Sequence, residues 1–201
     1  MLLLAGCDSR STETAKVVNE QSVKEQNKND AVAMTFIVFE DNEYATMKAA
    51  GAVNAIIYDL SNMQEQTQIE FWIEHYVNGK MQEKLMSFES EVGDPSAGHK
   101  LYFSTMDESN DEQLWTVAFR EGNSVASAKG RVKSDAAQSR MMHPVNEILL
   151  STEQETIASI MIGAGYDNQV IPEGEQQEEE SSVITSFPEV FILMCKISYL
   201  S

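Results

Sequence analysis

Apolar residues in this chain fall in short runs divided by turn-forming residues, not at helical spacing over long stretches. Residues 34–39, rich in aromatic and β-branched side chains, predict a buried strand that Asp41-Asn42 ends. Residues 44–50 favour helix through Ala, Met and Lys, yet Gly51 follows quickly and leaves their state open. Residues 53–60 read as a second strand, and 61–66 as a polar connection. The strongest local signal spans 67–90, where Asn78-Gly79 separates two alternating segments. Both residues tolerate the positive φ of a type I′ hairpin turn. Ile69, Trp72, Ile73 and Tyr76 also fit helical spacing, but the density of Ile, Phe, Trp, Tyr and Val favours a strand.

The rest of the chain continues in this style. Residues 93–98 form a loop by their Gly, Asp and Pro. Residues 101–106 and 114–120 read as strands around the polar stretch 107–112. Glu121-Gly122-Asn123 is a turn, 124–132 extends the sheet with small side chains, and 133–138 is a loop. Residues 145–150 and 156–162 resemble a strand pair around Ser151-Thr152-Glu153. Gly163-Ala164-Gly165 breaks the pattern, 172–182 reads as an exposed acidic loop, and 190–197 is a closing strand. Pro188 stands just before it, where a missing N–H does little harm.

No long helical pattern alternates with these strands, which argues against a doubly wound sheet. The expected fold is mainly β, an antiparallel β-sandwich spanning 31–201. It is immunoglobulin-like by analogy from strand count, without a Cys…Trp…Cys signature. Residues 8–30 are polar and cannot offset their ordering entropy, so they read as a flexible tether. As a coil they would span about 25–30 Å.

The hairpin turn also predicts a register. Val77 stands opposite Lys80, and pairing outward places Ile69 with Phe88, Phe71 with Met86 and Ile73 with Lys84 on one face. The other face pairs Trp72 with Leu85, Glu74 with Glu83 and Tyr76 with Met81. The first face reads as core. The second reads as partly wet, with Trp72 and Tyr76 as candidate partner-binding anchors. The competing expectation is that a neighbouring segment covers both aromatics as core.

Charge narrows the function classes. Lys and Arg total 14 against 32 Asp and Glu, a net charge of −18. Phosphate backbones need cations, so no nucleic-acid partner is expected. Anionic lipid would repel the chain for the same reason. No apolar run is long enough to span a bilayer.

Candidate chemistry is sparse. His75, His99 and His143 lack metal-ligand spacing and read as surface or loop histidines. An EF-hand starting at Asp107 would want Gly and Glu where Glu112 and Ala118 stand. There is no Gly-x-Ser-x-Gly elbow, phosphate-binding Gly loop or His-Glu-x-x-His, so no catalytic residue, metal or cofactor is nominated. Alternation puts Cys195 on one face with Phe191, Leu193 and Ile197, which predicts a buried, inert thiol.

The N-terminus carries the one recognisable motif. Leu4-Ala5-Gly6-Cys7 resembles the lipobox of bacterial lipoproteins, with residues 1–7 as the remnant of a signal segment. The resemblance implies a diacylglycerol on Cys7 and attachment to the cell membrane on its extracytoplasmic side. A secretory signal also carries a basic n-region and a longer apolar run, so the true start is expected upstream. In an enteric-type envelope, Asp8 after the lipid cysteine would imply inner-membrane retention. The expected function is a cell-envelope lipoprotein whose non-catalytic β domain binds a protein, peptide or wall component. The alternative is a surface hydrolase whose catalytic residues converge only in the fold.

Overall fold

The computed structural model describes residues 31–38, 41–108, 112–133, 139–163 and 180–200. The lipobox-like start, the tether and residues 172–179 of the expected acidic loop lie outside the described residues. The strands are β1 (Ala33–Phe36), β2 (Asn54–Ser61), β3 (Thr67–Val77), β4 (Lys80–Glu91), β5 (His99–Asp107), β6 (Glu112–Glu121), β7 (Ser124–Lys133), β8 (Ser139–Pro144), β9 (Glu147–Leu149), β10 (Glu155–Gly163) and β11 (Glu189–Tyr199). The helices are α1 (Asn42–Ala49) and α2 (Glu180–Ser186). Two antiparallel sheets pack as a sandwich, one of six strands in the order β7-β6-β5-β2-β1-β9 and one of five in the order β4-β3-β11-β10-β8.

Alternation along each strand builds the core between the sheets. Leu101, Phe103, Trp115, Val117 and Phe119 from the first sheet meet Ile69, Phe71, Ile73, Phe191, Leu193 and Ile197 from the second. Trp115 packs edge-on against Phe103 at 5.4 Å and against Phe191 across the interface at 4.8 Å. The hydroxyl of Tyr58 donates to the carbonyl of Ile157, tying β2 to β10. Gly130 permits the close approach of β7 to β4, since a Cβ there would stand 3.1 Å from Met86 Cγ.

One helix packs on part of each outer face. The ambiguous segment 44–50 resolves as α1, with Asp41 as N-cap accepting from the N–H of Glu43 at 2.8 Å. Its Tyr44 is buried against Ala55 and Ile57. The Tyr44 hydroxyl donates to the Ile37 carbonyl and accepts from the Ile57 N–H, each at 2.9 Å. α2 occupies the end of the expected acidic loop, correcting residues 180–182 from loop to helix. Val183, Ile184 and Phe187 pack over Val190, Ile192 and Met161 on the second sheet.

The Asn78-Gly79 hairpin forms as predicted, with φ of 48° and 76° at those residues. Its register holds only next to the turn, at Val77↔Lys80 and Tyr76↔Met81. Two irregularities, between His75 and Tyr76 and between Ile73 and Glu74, then shift β4 outward. Phe71 thus opposes Phe88 and Ile73 opposes Met86. Beyond the second irregularity the total shift of two residues preserves the faces, so Ile69, Phe71, Ile73, Met86 and Phe88 keep their core assignment. Between the two irregularities the shift of one residue carries Lys84 to the Trp72 face and Leu85 to the core, the reverse of the expected pairing. The shift also replaces the expected Glu74–Glu83 repulsion with Glu74 opposite Lys84.

The expected pairing of 145–150 with 156–162 is corrected. β9 pairs with β1 in the six-stranded sheet, whereas β10 lies between β8 and β11 in the other. β8 and β9 form one run that changes sheets at Val145-Asn146, where the Val145 N–H bonds to Ile157 and the Asn146 carbonyl accepts from Phe36. Such a switch makes a sandwich corner. The strand β8 itself was not anticipated, because its Arg, His and Pro obscure the pattern.

Cys195 lies fully buried in the inter-sheet core, and burial pushes its thiol well above the ordinary cysteine range. The folded protein is therefore expected to react slowly with thiol reagents and quickly once denatured. Cys195→Ser should lower stability by about 1–3 kcal/mol, because the hydroxyl enters an apolar site. Urea titration checks the second expectation, and rapid labelling of native protein would contradict the first.

Candidate interaction surfaces

The structure separates the two aromatics proposed from sequence. Trp72 is 2% exposed, inside a second apolar cluster with Val190, Ile192, Met194 and Met161. Its indole N–H donates to Glu74 Oε1 at 2.9 Å, and the Tyr76 hydroxyl donates to Glu74 Oε2 at 2.7 Å. Lys84 Nζ lies 4.4 Å above the indole. The face expected to be partly wet is thus covered at Trp72, and its carboxylate is satisfied by neighbouring donors. Tyr76 is half-buried at the border of this cluster. Cys7 lies outside the described residues.

The histidines depart from the surface reading. His99 is 1% exposed, stacked on Phe119, with Nε2 3.5 Å from Glu121 Oε2. Glu121 also accepts from the N–H groups of Gly93 and Asp94 and so fastens the 93–98 loop. His75 stacks on Phe191 at 4.5 Å and meets Glu189 Oε1 at 2.8 Å. Among the described residues, no group of His, Cys, Asp and Glu is arranged to hold a metal ion.

The sandwich has two unlike poles. The described domain begins at the pole that holds Val32, the connections 61–66, 92–98, 121–124 and 150–154, and the end of β11. Glu65, Asp94, Glu121 and Glu153 lie in those connections, which contain no Lys or Arg. The Asn78-Gly79 turn stands at the opposite pole, where the Asn78 N–H bonds to the Pro188 carbonyl.

One sheet face remains bare. α1 covers β2 and reaches Lys100 and Tyr102 of β5, but beyond these the outward positions of β5, β6 and β7 carry no helix among the described residues. Ser104, Thr116, Ala118 and Ser127 make a floor of small side chains on this face, bordered by Tyr102 opposite Ala118 and by the pair Met106 and Leu114. Around it stand Lys100, Arg120, Lys129, Arg131 and Lys133, with Glu112 as the one acidic strand residue on this face. In a chain with 32 acids and 14 bases, this is a local reversal of charge. Glu43 from α1 accepts from Lys100 Nζ at 2.7 Å and from the Tyr102 hydroxyl at 3.0 Å, with Arg120 3.6 Å away. Arg131 is paired with Glu108 at 2.7 Å. Sequence reading missed this face because its cations lie in different strands, and only pairing β5, β6 and β7 gathers them.

The sheet edges differ as well. β9 has 3 residues and β8 has 6. β4 carries the two register shifts. β7 runs for 10 residues and pairs with β6 from Ser124 to Lys133 without a break. Its first half is exposed on both faces, with Val125 at 64%.

A family model described as the YgaN domain matches residues 37–197. No curated protein and no solved structure matches the chain.

Two outcomes follow from this geometry. Trp72→Ala should destabilise the domain by about 3–5 kcal/mol, as expected for a buried aromatic, and thermal unfolding measures it. Burial alone would raise the Glu43 carboxyl, but the hydrogen bonds from Lys100 and Tyr102 and the nearby cations hold it below its ordinary 4.5. A depressed carboxyl stabilises the fold fully above its unfolded value and loses that contribution as pH falls through the folded value. The stability gap between the native chain and Glu43→Gln should therefore shrink on acidification from about pH 6 to about pH 3. Chemical denaturation across that range reads the gap, and a gap independent of pH would contradict the assignment.

Proposed function

The chain belongs to the YgaN domain family, and we propose that this member is a membrane-anchored cell-envelope lipoprotein whose sandwich works by binding. Its partner is a protein, peptide or wall component, met on the bare face of β5, β6 and β7. The observation that carries the binding half is the floor of Ser104, Thr116, Ala118 and Ser127 inside a rim of cations. Small side chains let a partner approach the sheet closely, and rim charges set orientation and on-rate.

The anchoring half rests on Leu4-Ala5-Gly6-Cys7 and the polar stretch 8–30 that follows. A lipid on Cys7 would bind by burying methylenes at about 0.8 kcal/mol each, with no help from a chain of net charge −18. The described domain begins at its acidic pole, beside Val32, and an anionic membrane would repel that pole within a Debye length of about 10 Å.

Expression from a gene with a complete signal tests the anchor. The native protein should partition into detergent, and Cys7→Ala should be released or remain unprocessed. An intact N-terminal mass without diacylglycerol would overturn it. Ala118→Trp, which fills the floor, should reduce capture from the host's own envelope extract while leaving thermal stability nearly unchanged.

A further inference from the structure

We propose that the open edge of β7 accepts an acidic, extended polypeptide segment as an added antiparallel strand. This rests on the reading that the domain works by binding, and it specifies where and what.

Exposed sheet edges template further pairing, and proteins usually blunt them with short strands, bulges or charge. Here β8 and β9 are short, and together they form one sheet-switching run that seals one side of the sandwich. β4 is kinked by its two register shifts. β7 has neither device. It is in register throughout, has no proline, and consists largely of Ser, Ala, Val and Gly. Its inner side is covered by Met86 near Gly130, but residues 124–127 are open on both faces.

Its guard is charge of one sign. Lys129, Arg131 and Lys133 alternate along the strand, so all project from the outer face. Among the described residues, the acids facing this row are Glu108, which holds Arg131, and Glu112, opposite Lys133. Lys129 stands opposite Thr116 and has no carboxylate across from it. A second copy of β7 would set cations beside cations, which is destabilising. A strand with carboxylates at alternate positions would set each within reach of a cation, since directly opposed Cβ atoms lie about 4.5–5.5 Å apart. Its other half would lie along Val125 and Ser127, so small or β-branched residues suit it there. Main-chain hydrogen bonds then give affinity, and the side-chain pattern gives specificity.

The test uses the full chain carrying Cys7→Ala, so that lipid plays no part. Four synthetic peptides serve as probes. The first has glutamates at alternate positions in one half and Val and Thr in the other. The second replaces Glu by Lys, and the third by Gln. The fourth keeps the glutamates but is N-methylated at alternate residues. The first should bind, more weakly as salt rises, and bring hydrogen-exchange protection to alternate amides of β7. The Lys peptide and the N-methylated peptide should lose binding, and the Gln peptide should bind about tenfold more weakly. Lys129→Glu with Lys133→Glu should invert the preference for Glu over Lys while leaving the melting temperature nearly unchanged. Equal binding of the N-methylated peptide, or of single-stranded DNA with the same β7 dependence, would show a general polyanion patch and overturn the proposal. So would protection confined to other strands, or self-association of the chain through β7. If no peptide binds but Cys7 is lipidated and Ala118→Trp still reduces envelope capture, the β7 inference fails while the proposed function stands.

Discussion

The sandwich depends on β11 lying in the middle of the five-stranded sheet. It pairs along its whole length with β3, from Glu189↔Val77 to Tyr199↔Thr67, and along its first seven residues with β10. It is apolar on both faces. Phe191, Leu193, Cys195 and Ile197 enter the inter-sheet core, while Val190, Ile192 and Met194 enter the cluster beneath α2. The sheet therefore cannot be complete until the last strand of the chain arrives. Contacts between β3 and β11 span most of the domain, an arrangement that favours slow folding. Edges of β3 and β10 stay open until that insertion, so aggregation risk concentrates there during folding.

This explains what the sequence disclosed and what it did not. Strands with clean alternation, such as β5 and β6, were legible because each has one buried face and one open face. The Asn78-Gly79 turn was legible because its positive φ angles require special residues. The second face of the hairpin was harder. A residue such as Trp72 reads alike whether solvent or a helix lies over it, and α2 begins where an acidic run hides the helical pattern. The two β4 irregularities leave no sequence mark beyond the like charges they keep apart. β9 and β10 were paired wrongly because local pattern shows that a strand exists, not which sheet it joins.

Buried polar groups show how the charged composition is accommodated. Glu74 lies under an apolar cluster, yet its two oxygens accept from Trp72 and Tyr76, each two residues away on the same face. Trp115 and Gln113 repeat this local solution, with the indole N–H donating to Gln113 Oε1 at 3.1 Å. In each case a tryptophan at an even or odd face position is satisfied by its own strand. Neither indole needs a partner from the opposite sheet, so the contacts that Trp115 makes across the interface stay apolar. Those contacts impose shape without hydrogen-bond direction, whereas the Tyr58 hydroxyl on the Ile157 carbonyl adds a directional tie between the sheets.

The distribution of the remaining charge is then a question of edges and ends. Acids at the pole near Val32 cost little, because the loops there are solvated and Glu121 is used to pin two backbone N–H groups. Placing the same acids along β7 would also keep the edge from pairing with itself. Charge of either sign does that, so protection alone does not explain why an acidic chain sets Lys129, Arg131 and Lys133 there. In solution dominated by its own negative field, a basic row weakens repulsion of anionic partners at one place and leaves it intact elsewhere. The same row that keeps two copies of the strand apart thus selects the sign of the one segment that can join it.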